Sequence, residues 1–253
     1  MLKIFIKNHP ISTQFELSQI KFKVNSGEIF ALIGKSGSGK SSIAQIIVGN
    51  LTGTESSIQI NSQELNDGLD RLIKQYPQIG YVPQNLHLKP NHTVDDFLEM
   101  IYQKLSKIEL LKKKKYILKK YHLEKVSKSK IMHLSGGERQ KLALIQAFSV
   151  SIEALVLDEP FSQLDTEQKM EFSQLVQQEV IEKQIPCLLI SHDLSDILKL
   201  SQKVGIMEKG KMCFQGNWQQ FSKSQNKLVL RLKNAMIEWK IQTDEIIENL
   251  KTV

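Results

Sequence analysis

Apolar and polar positions follow two regimes along this chain. Up to about residue 87, and again from about residue 151, short apolar runs bounded by polar clusters predict strands; between them the spacing becomes helical. Leu2–Lys7 and Phe15–Val24 predict strands, the second through Phe15, Leu17, Ile20, Phe22 and Val24. Ile29–Ile33 is apolar throughout, as in a strand covered on both faces. A glycine-rich turn follows, then a helix from about Lys40 to Val48 and short strands at Ile58–Ile60 and Ile79–Val82. From about Thr93 to Ser149 the period is helical, with Leu110, Leu111, Ile117, Leu118 and Tyr121 on one expected stripe. Buried strands return at Leu155–Leu157 and Leu188–Ile190, separated by a helix from about Thr166 to Lys183. Val204–Met207 and Met212–Gln215 flank a Lys209-Gly210 turn. The tail from Lys227 to Leu250 has helical spacing through Leu228, Leu232, Ala235, Trp239, Ile246 and Leu250. The pattern is a strand-rich α/β core around a helical insert, with no internal repeat.

Composition adds limits. A chain of 253 residues with 41% hydrophobic content can bury a core. No run approaches the roughly 18 apolar residues of a membrane-spanning helix, and Met1 to Pro10 lacks the apolar region of a secretory signal. Cys187 and Cys213 match no metal-ligand or redox spacing and read as reduced structural thiols, so the expected compartment is the cytoplasm. The net charge is +7, but residues 103–130 alone hold eleven Lys against Glu109 and Glu124. That segment reads as a solvated helix face or as one attracted to anionic headgroups. Arginine occurs only at Arg71, Arg139 and Arg231. Base readout favours arginine, so no specific nucleic-acid partner is expected.

The chemistry starts at Gly34-Lys35-Ser36-Gly37-Ser38-Gly39-Lys40-Ser41, followed by Ser42, between a buried strand and a helix. This is the P-loop pattern in the context its mechanism requires. Backbone N–H groups turn inward around phosphates and the helix N-terminus adds positive potential. Lys40 is then the contact to the β- and γ-phosphates, and the Ser41 hydroxyl a ligand for Mg²⁺. Leu155-Val156-Leu157-Asp158 is a buried strand ending in a carboxylate that can reach the Mg²⁺ shell. Glu159 follows directly, where a base could polarise attacking water. In Leu134-Ser135-Gly136-Gly137-Glu138-Arg139-Gln140, Ser135 and Glu138 form a capping-box pattern. Capping does not explain Gly136 and Gly137, which are poor helix residues; bare backbone at a helix start suits approach to an anion.

Leu134–Gln140 resembles the signature of the ABC ATPase family, and the chain to about residue 221 is similar to that family. Its other motifs are present: Gln84 in Tyr81-Val82-Pro83-Gln84, Asp165 closing Phe161-Ser162-Gln163-Leu164-Asp165, and His192 in Ser191-His192-Asp193. The resemblance implies a P-loop NTPase (RecA-like) α/β core with an N-terminal antiparallel β-subdomain and an inserted α-helical subdomain. The ATPase domain would span residues 1–221, with the core at about 1–87 and 151–221, the helical subdomain at about 88–150 and a C-terminal helical tail at 222–253. It implies ATP and Mg²⁺ as cofactors, with two chains clamped head to tail, as a homodimer or a paralogous heterodimer. Each nucleotide would lie between one chain's P-loop and Ser135, Gly136 and Gly137 of the other. Ser41, Gln84 and Asp158 would serve the metal, Glu159 and His192 the chemistry, with His192 in contact with the γ-phosphate, and Asp165 would report on the opposite site. The chain departs from the family at Gln146, where an arginine is usual, and no regulatory domain is expected beyond residue 253. Phe5, His9 and Phe15 all remain open as the residue stacking on adenine.

The resemblance implies a transport-coupled ATP hydrolase, peripheral on the inner face of the cell membrane and bound to a separate transmembrane permease subunit. A single cassette, with 50 residues between Gln84 and Ser135, argues against ribosomal and DNA-repair members of the family. The intact set Lys40, Asp158, Glu159 and His192 argues against a degenerate binding module. The stretches Asp158–Asp165 and Leu189–Gly210 resemble importer ATPases for polar solutes. The alternative is the ATPase of a lipid or drug exporter.

Overall fold

The computed structural model describes residues 1–51, 55–65, 76–192 and 194–238, the Ser195 side chain excepted. Two sheets share the work. The first is antiparallel, built from β1 (Leu2–Ser12), β2 (Phe15–Val24), β4 (Glu55–Ile60) and β5 (Gln63–Glu64) in the order β2-β1-β4-β5. The second contains β3 (Ile29–Gly34), β6 (Ile79–Val82), β7 (Ala154–Asp158), β8 (Cys187–Ile190), β9 (Lys203–Glu208) and β10 (Lys211–Asn217), in the order β10-β9-β3-β8-β7-β6. All its pairs are parallel except the β9–β10 hairpin.

The unbroken apolar run of β3 has a direct cause. Ile29, Ala31 and Ile33 belong to one buried cluster, whereas Phe30 and Leu32 belong to another on the opposite face. β7 and β8 divide in the same way, with Leu155, Leu157, Cys187 and Leu189 on one side and Val156, Leu188 and Ile190 on the other. Helix α1 (Lys40–Ile47) and the antiparallel sheet cover the second face through Ile43, Ala44, Leu17 and Ile20.

Between β6 and β7 lie three helices, α2 (Val94–Ile101), α3 (Lys107–Lys120) and α4 (Gly136–Ala147), with two short 3-10 turns before α4. Each begins in a reciprocal capping box, Thr93 with Asp96, Ser106 with Glu109 and Ser135 with Glu138. The expected stripe on α3 needs one correction: Leu111 is 60% exposed. Leu110, Ile117, Leu118 and Tyr121 face the core, and buried Lys114 joins them because Asp95 and Glu99 receive its ammonium at 3.3 and 2.7 Å.

Helix α5 (Thr166–Lys183) packs against this insert, and buried Glu179 forms the joint. It accepts a hydrogen bond from the Tyr121 hydroxyl at 2.7 Å and pairs with Lys120 at 2.8 Å. Burial and the adjacent carboxylate push the Tyr121 hydroxyl well above its ordinary pKa, so it remains a donor. Glu179→Ala is expected to lower stability by about 3 kcal/mol, read as a shifted denaturant midpoint, since it strands a buried hydroxyl and half of an ion pair. Glu179→Gln, which can still accept from Tyr121, should recover part of that loss.

Besides the two-residue strand β5, two helices were absent from the apolar pattern, α6 (Leu194–Leu200) and α7 (Trp218–Lys223). Residues 227–238 form a further helix, α8; Trp239, Ile246 and Leu250 of the expected tail helix lie outside the described residues, as do Asp193 and Arg71. Among the described residues no helix is long and apolar enough to cross a membrane. Cys187 and Cys213 are both free thiols.

Candidate active site

Sheet register brings the chemical groups to one end. Leu32 of β3 pairs with Ile190 of β8, Ile190 with Asp158 of β7, and Gly34 with Met207 of β9. The loop after β3, the acids after β7 and the histidine after β8 therefore emerge side by side at the carboxyl ends of parallel strands. Ligands bind in open α/β sheets at such a place.

A cavity of about 1030 Å³ opens there. Gly34, Lys35, Ser36, Gly37, Gly39, Lys40, Ser41 and Ser42 line it, with Gln84, Glu159 and His192. The loop turns into α1 through Gly39, whose φ of +100° would strain any other residue. A Cβ at this position would also meet a Leu17 methyl and the Phe15 ring. Ser38, expected among the binding residues, is not part of the lining: its hydroxyl is buried, with no hydrogen-bond partner among the described residues.

Lys40 folds its ammonium onto the loop, donating to the carbonyls of Gly34 at 2.8 Å and Lys35 at 3.1 Å. Burial lowers its pKa, opposed by the charges of Glu159 and Asp158. The Ser41 hydroxyl donates to Asp158 Oδ1 at 3.1 Å. Burial raises the Asp158 pKa, and Glu159 adds to the shift. A carboxylate destabilised in this way gains from a cation. The hydroxyl and carboxylate oxygen beside it are hard donors suited to Mg²⁺, which keeps most of its waters and needs few protein ligands. The residues therefore fit the metal the sequence implied, with Gln84 on the same wall.

Glu159 adopts a left-handed backbone conformation, φ +52°, uncommon for a side-chain-bearing residue and typical of functional sites. Its N–H is anchored to the Ile190 carbonyl at 2.9 Å, which fixes the turn. The carboxylate meets His192 Nδ1 at 2.5 Å, so the two candidate catalytic residues form one unit on the cavity lining.

The remaining expected residues lie elsewhere. Ser135, Gly136, Gly137 and Asp165 are not in the cavity lining. Ser135 caps α4, and Asp165 caps α5 by accepting from the Gln168 N–H at 2.9 Å. A physical reason for one of the paired glycines now appears: a Cβ on Gly136 would stand 2.7 Å from the Gln163 carbonyl oxygen. The signature segment and the Phe161–Asp165 loop thus approach backbone to backbone. Of the three aromatic candidates, Phe15 lines the cavity beside Ile11; Phe5 lines a separate groove on the antiparallel sheet, and His9 is buried. The C-terminal helix also reaches the cavity, through Leu228, Arg231 and Leu232. The sequence signalled the helix by its period but not its destination.

Comparison with known proteins agrees with this architecture. Residues 17–162 match the family model described as ABC transporter. The chain is 29% identical over 221 residues to the molybdate/tungstate import ATP-binding protein WtpC of Pyrococcus horikoshii, covering 86% of this chain and 63% of that protein. It is 30% identical over 228 residues to a probable sulfate/thiosulfate import ATP-binding protein CysA of Chlorella vulgaris, covering 87% and 94%. This chain thus spans less than two thirds of the first relative. The structure superposes on that of cbiO1 from Clostridium perfringens, part of an ABC transporter complex, with a TM-score of 0.78 at 24% identity, covering 97% and 96%. With phosphate loop, acid pair and histidine at one sheet end, and the family model matched from within β2 to just past Glu159, the chain belongs to the ABC transporter family.

Proposed function

We propose that this chain is the ATP-binding and ATP-hydrolysing subunit of an ABC importer, driving a polar solute through a separate transmembrane permease. The observation that carries the reading is the convergence of Lys40, Ser41, Glu159 and His192 on one cavity, with buried Asp158 held just behind the lining by its hydrogen bond from Ser41. Lys40 and the loop N–H groups bind phosphates, and Ser41 and Asp158, with Gln84 nearby, hold Mg²⁺, which neutralises charge on the phosphates. Phe15 offers its ring to the base. Glu159 accepts the proton of the attacking water, and His192 keeps that carboxylate aimed.

One chain does not complete the site, because Ser135–Gly137 lies on the helical insert away from the cavity. A second ATPase subunit supplies that segment, as the same chain twice or as a paralogue, and the permease docks near Gln84 and the insert. The chain then works at the cytoplasmic face of the membrane. The import names of the two relatives favour uptake, and make small oxyanions the first solutes to test.

The test is reconstitution with the co-purifying permease in vesicles that carry this chain outside and labelled oxyanion on either side. ATP added outside should drive solute out of the lumen, toward the chain's own face, and the permease should stimulate hydrolysis. ATP-driven movement into the lumen would overturn the importer reading, and an ATPase indifferent to its permease would overturn coupling.

A further inference from the structure

We propose that Arg231, on the C-terminal helix α8, is a binding residue for the terminal phosphate of ATP. The inference rests on the nucleotide reading of the cavity above. Arg231 lines that cavity together with Lys40 and His192. Its guanidinium is exposed and makes no ion pair or hydrogen bond among the described residues. Glu208 lies on the same lining, yet no ion pair joins it to Arg231. Among the described residues, a permanent cation therefore stands unpaired in a cavity built for a polyanion.

Its place is fixed by packing. Leu228 and Leu232, three residues before and one after Arg231, both line the cavity and pack against the core, and Val229 is fully buried. Asn226 starts the helix: its side-chain amide donates to the Cys213 carbonyl at 3.0 Å and its side-chain oxygen accepts from the Leu228 N–H at 2.9 Å. Lys233 locks the other side, donating to the carbonyls of Ser222 at 3.0 Å and Ser224 at 3.2 Å.

Residue type separates these two cations of one helix. The chain uses arginine at only three of its 34 Lys and Arg positions. Of the two arginines described, Arg139 sits in the signature, donating to the Leu134 carbonyl, and Arg231 sits at the cavity. Lysine serves at position 233, where a point donor reaches two carbonyls. The planar fork of arginine meets a phosphate with two parallel hydrogen bonds, a fixed geometry that the point charge of an ammonium does not supply. The histidine assigned to the γ-phosphate by family resemblance shares this lining, so the terminal phosphate is the group we assign to Arg231.

Calorimetric titration of dilute chain tests this, using ADP and a non-hydrolysable ATP analogue with an imido bridge. Arg231→Ala should weaken the analogue about tenfold and leave ADP within about twofold, at an unchanged melting temperature without nucleotide. Arg231→Lys should keep part of the affinity. Unchanged analogue binding in Arg231→Ala would overturn the proposal. Equal losses for the analogue and ADP would also overturn it, since a displaced helix acts on both. A wild-type chain that bound neither nucleotide would instead refute the phosphate-loop assignment, and this proposal with it.

Discussion

Glu159→Gln should cut ATP turnover by roughly 10²–10⁴-fold while leaving nucleotide affinity near normal. Glutamine keeps the shape and can still bond to His192, but it cannot take a proton from water. Lys40, Ser41 and Asp158 are untouched, so the ground state binds as before. The variant also reports on assembly. Hydrolysis removes the γ-phosphate that would join one chain's cavity to the Ser135–Gly137 segment of the other, so blocking it should trap a dimer. Light scattering should find a monomer without nucleotide or with ADP, and a dimer with MgATP. Adding Ser135→Arg should return that dimer to monomer, because a bulky cation then fills the α4 N-terminus. A dimer indifferent to ATP, or to Ser135→Arg, would exclude the nucleotide as the bridge.

Lys40→Ala should weaken MgATP binding by more than a hundredfold and remove turnover with it. The ammonium is the cation the loop itself supplies from within, and burial without a ligand already works against its charge. An anion arriving beside it relieves that cost, so lysine and phosphate stabilise each other. Folding should survive the substitution. The two carbonyls that lose a donor, those of Gly34 and Lys35, belong to residues lining an open cavity where water can replace it. Normal hydrolysis in this variant would sink the phosphate-loop assignment; a melting temperature close to wild type is the control.

Legibility in the sequence followed how local the causes were. β6 and α5 match their expected bounds because their neighbours include clear stops, the Asp165 cap among them. The phosphate loop was readable because strand, glycines, lysine and helix are consecutive. Phe15 was not separable from Phe5 and His9, since only the pairing of β1 with β2 decides which face each presents. Leu111 was misplaced because it borders the α3 stripe, and the helix turns an acid-paired lysine inward instead. The arrival of α8 at the cavity depends on β10 and α7, which no periodicity of the tail encodes. Glycine at position 136 looked like an anion-binding device, yet the approach of Gln163 also requires it.

The Tyr121–Glu179 joint carries a lesson for engineering chimeras. Its two halves lie 58 positions apart, one in the helical insert and one in the core. Cutting out residues 88–150 as a cassette and replacing them with a relative's insert would separate a buried hydroxyl from its acceptor unless α5 were matched as well. Compatibility between donor and host should therefore track the residue at position 179 more closely than overall identity. A graft that carries tyrosine or lysine partners into a host lacking that acid should be less stable, and should regain stability when the acid is restored.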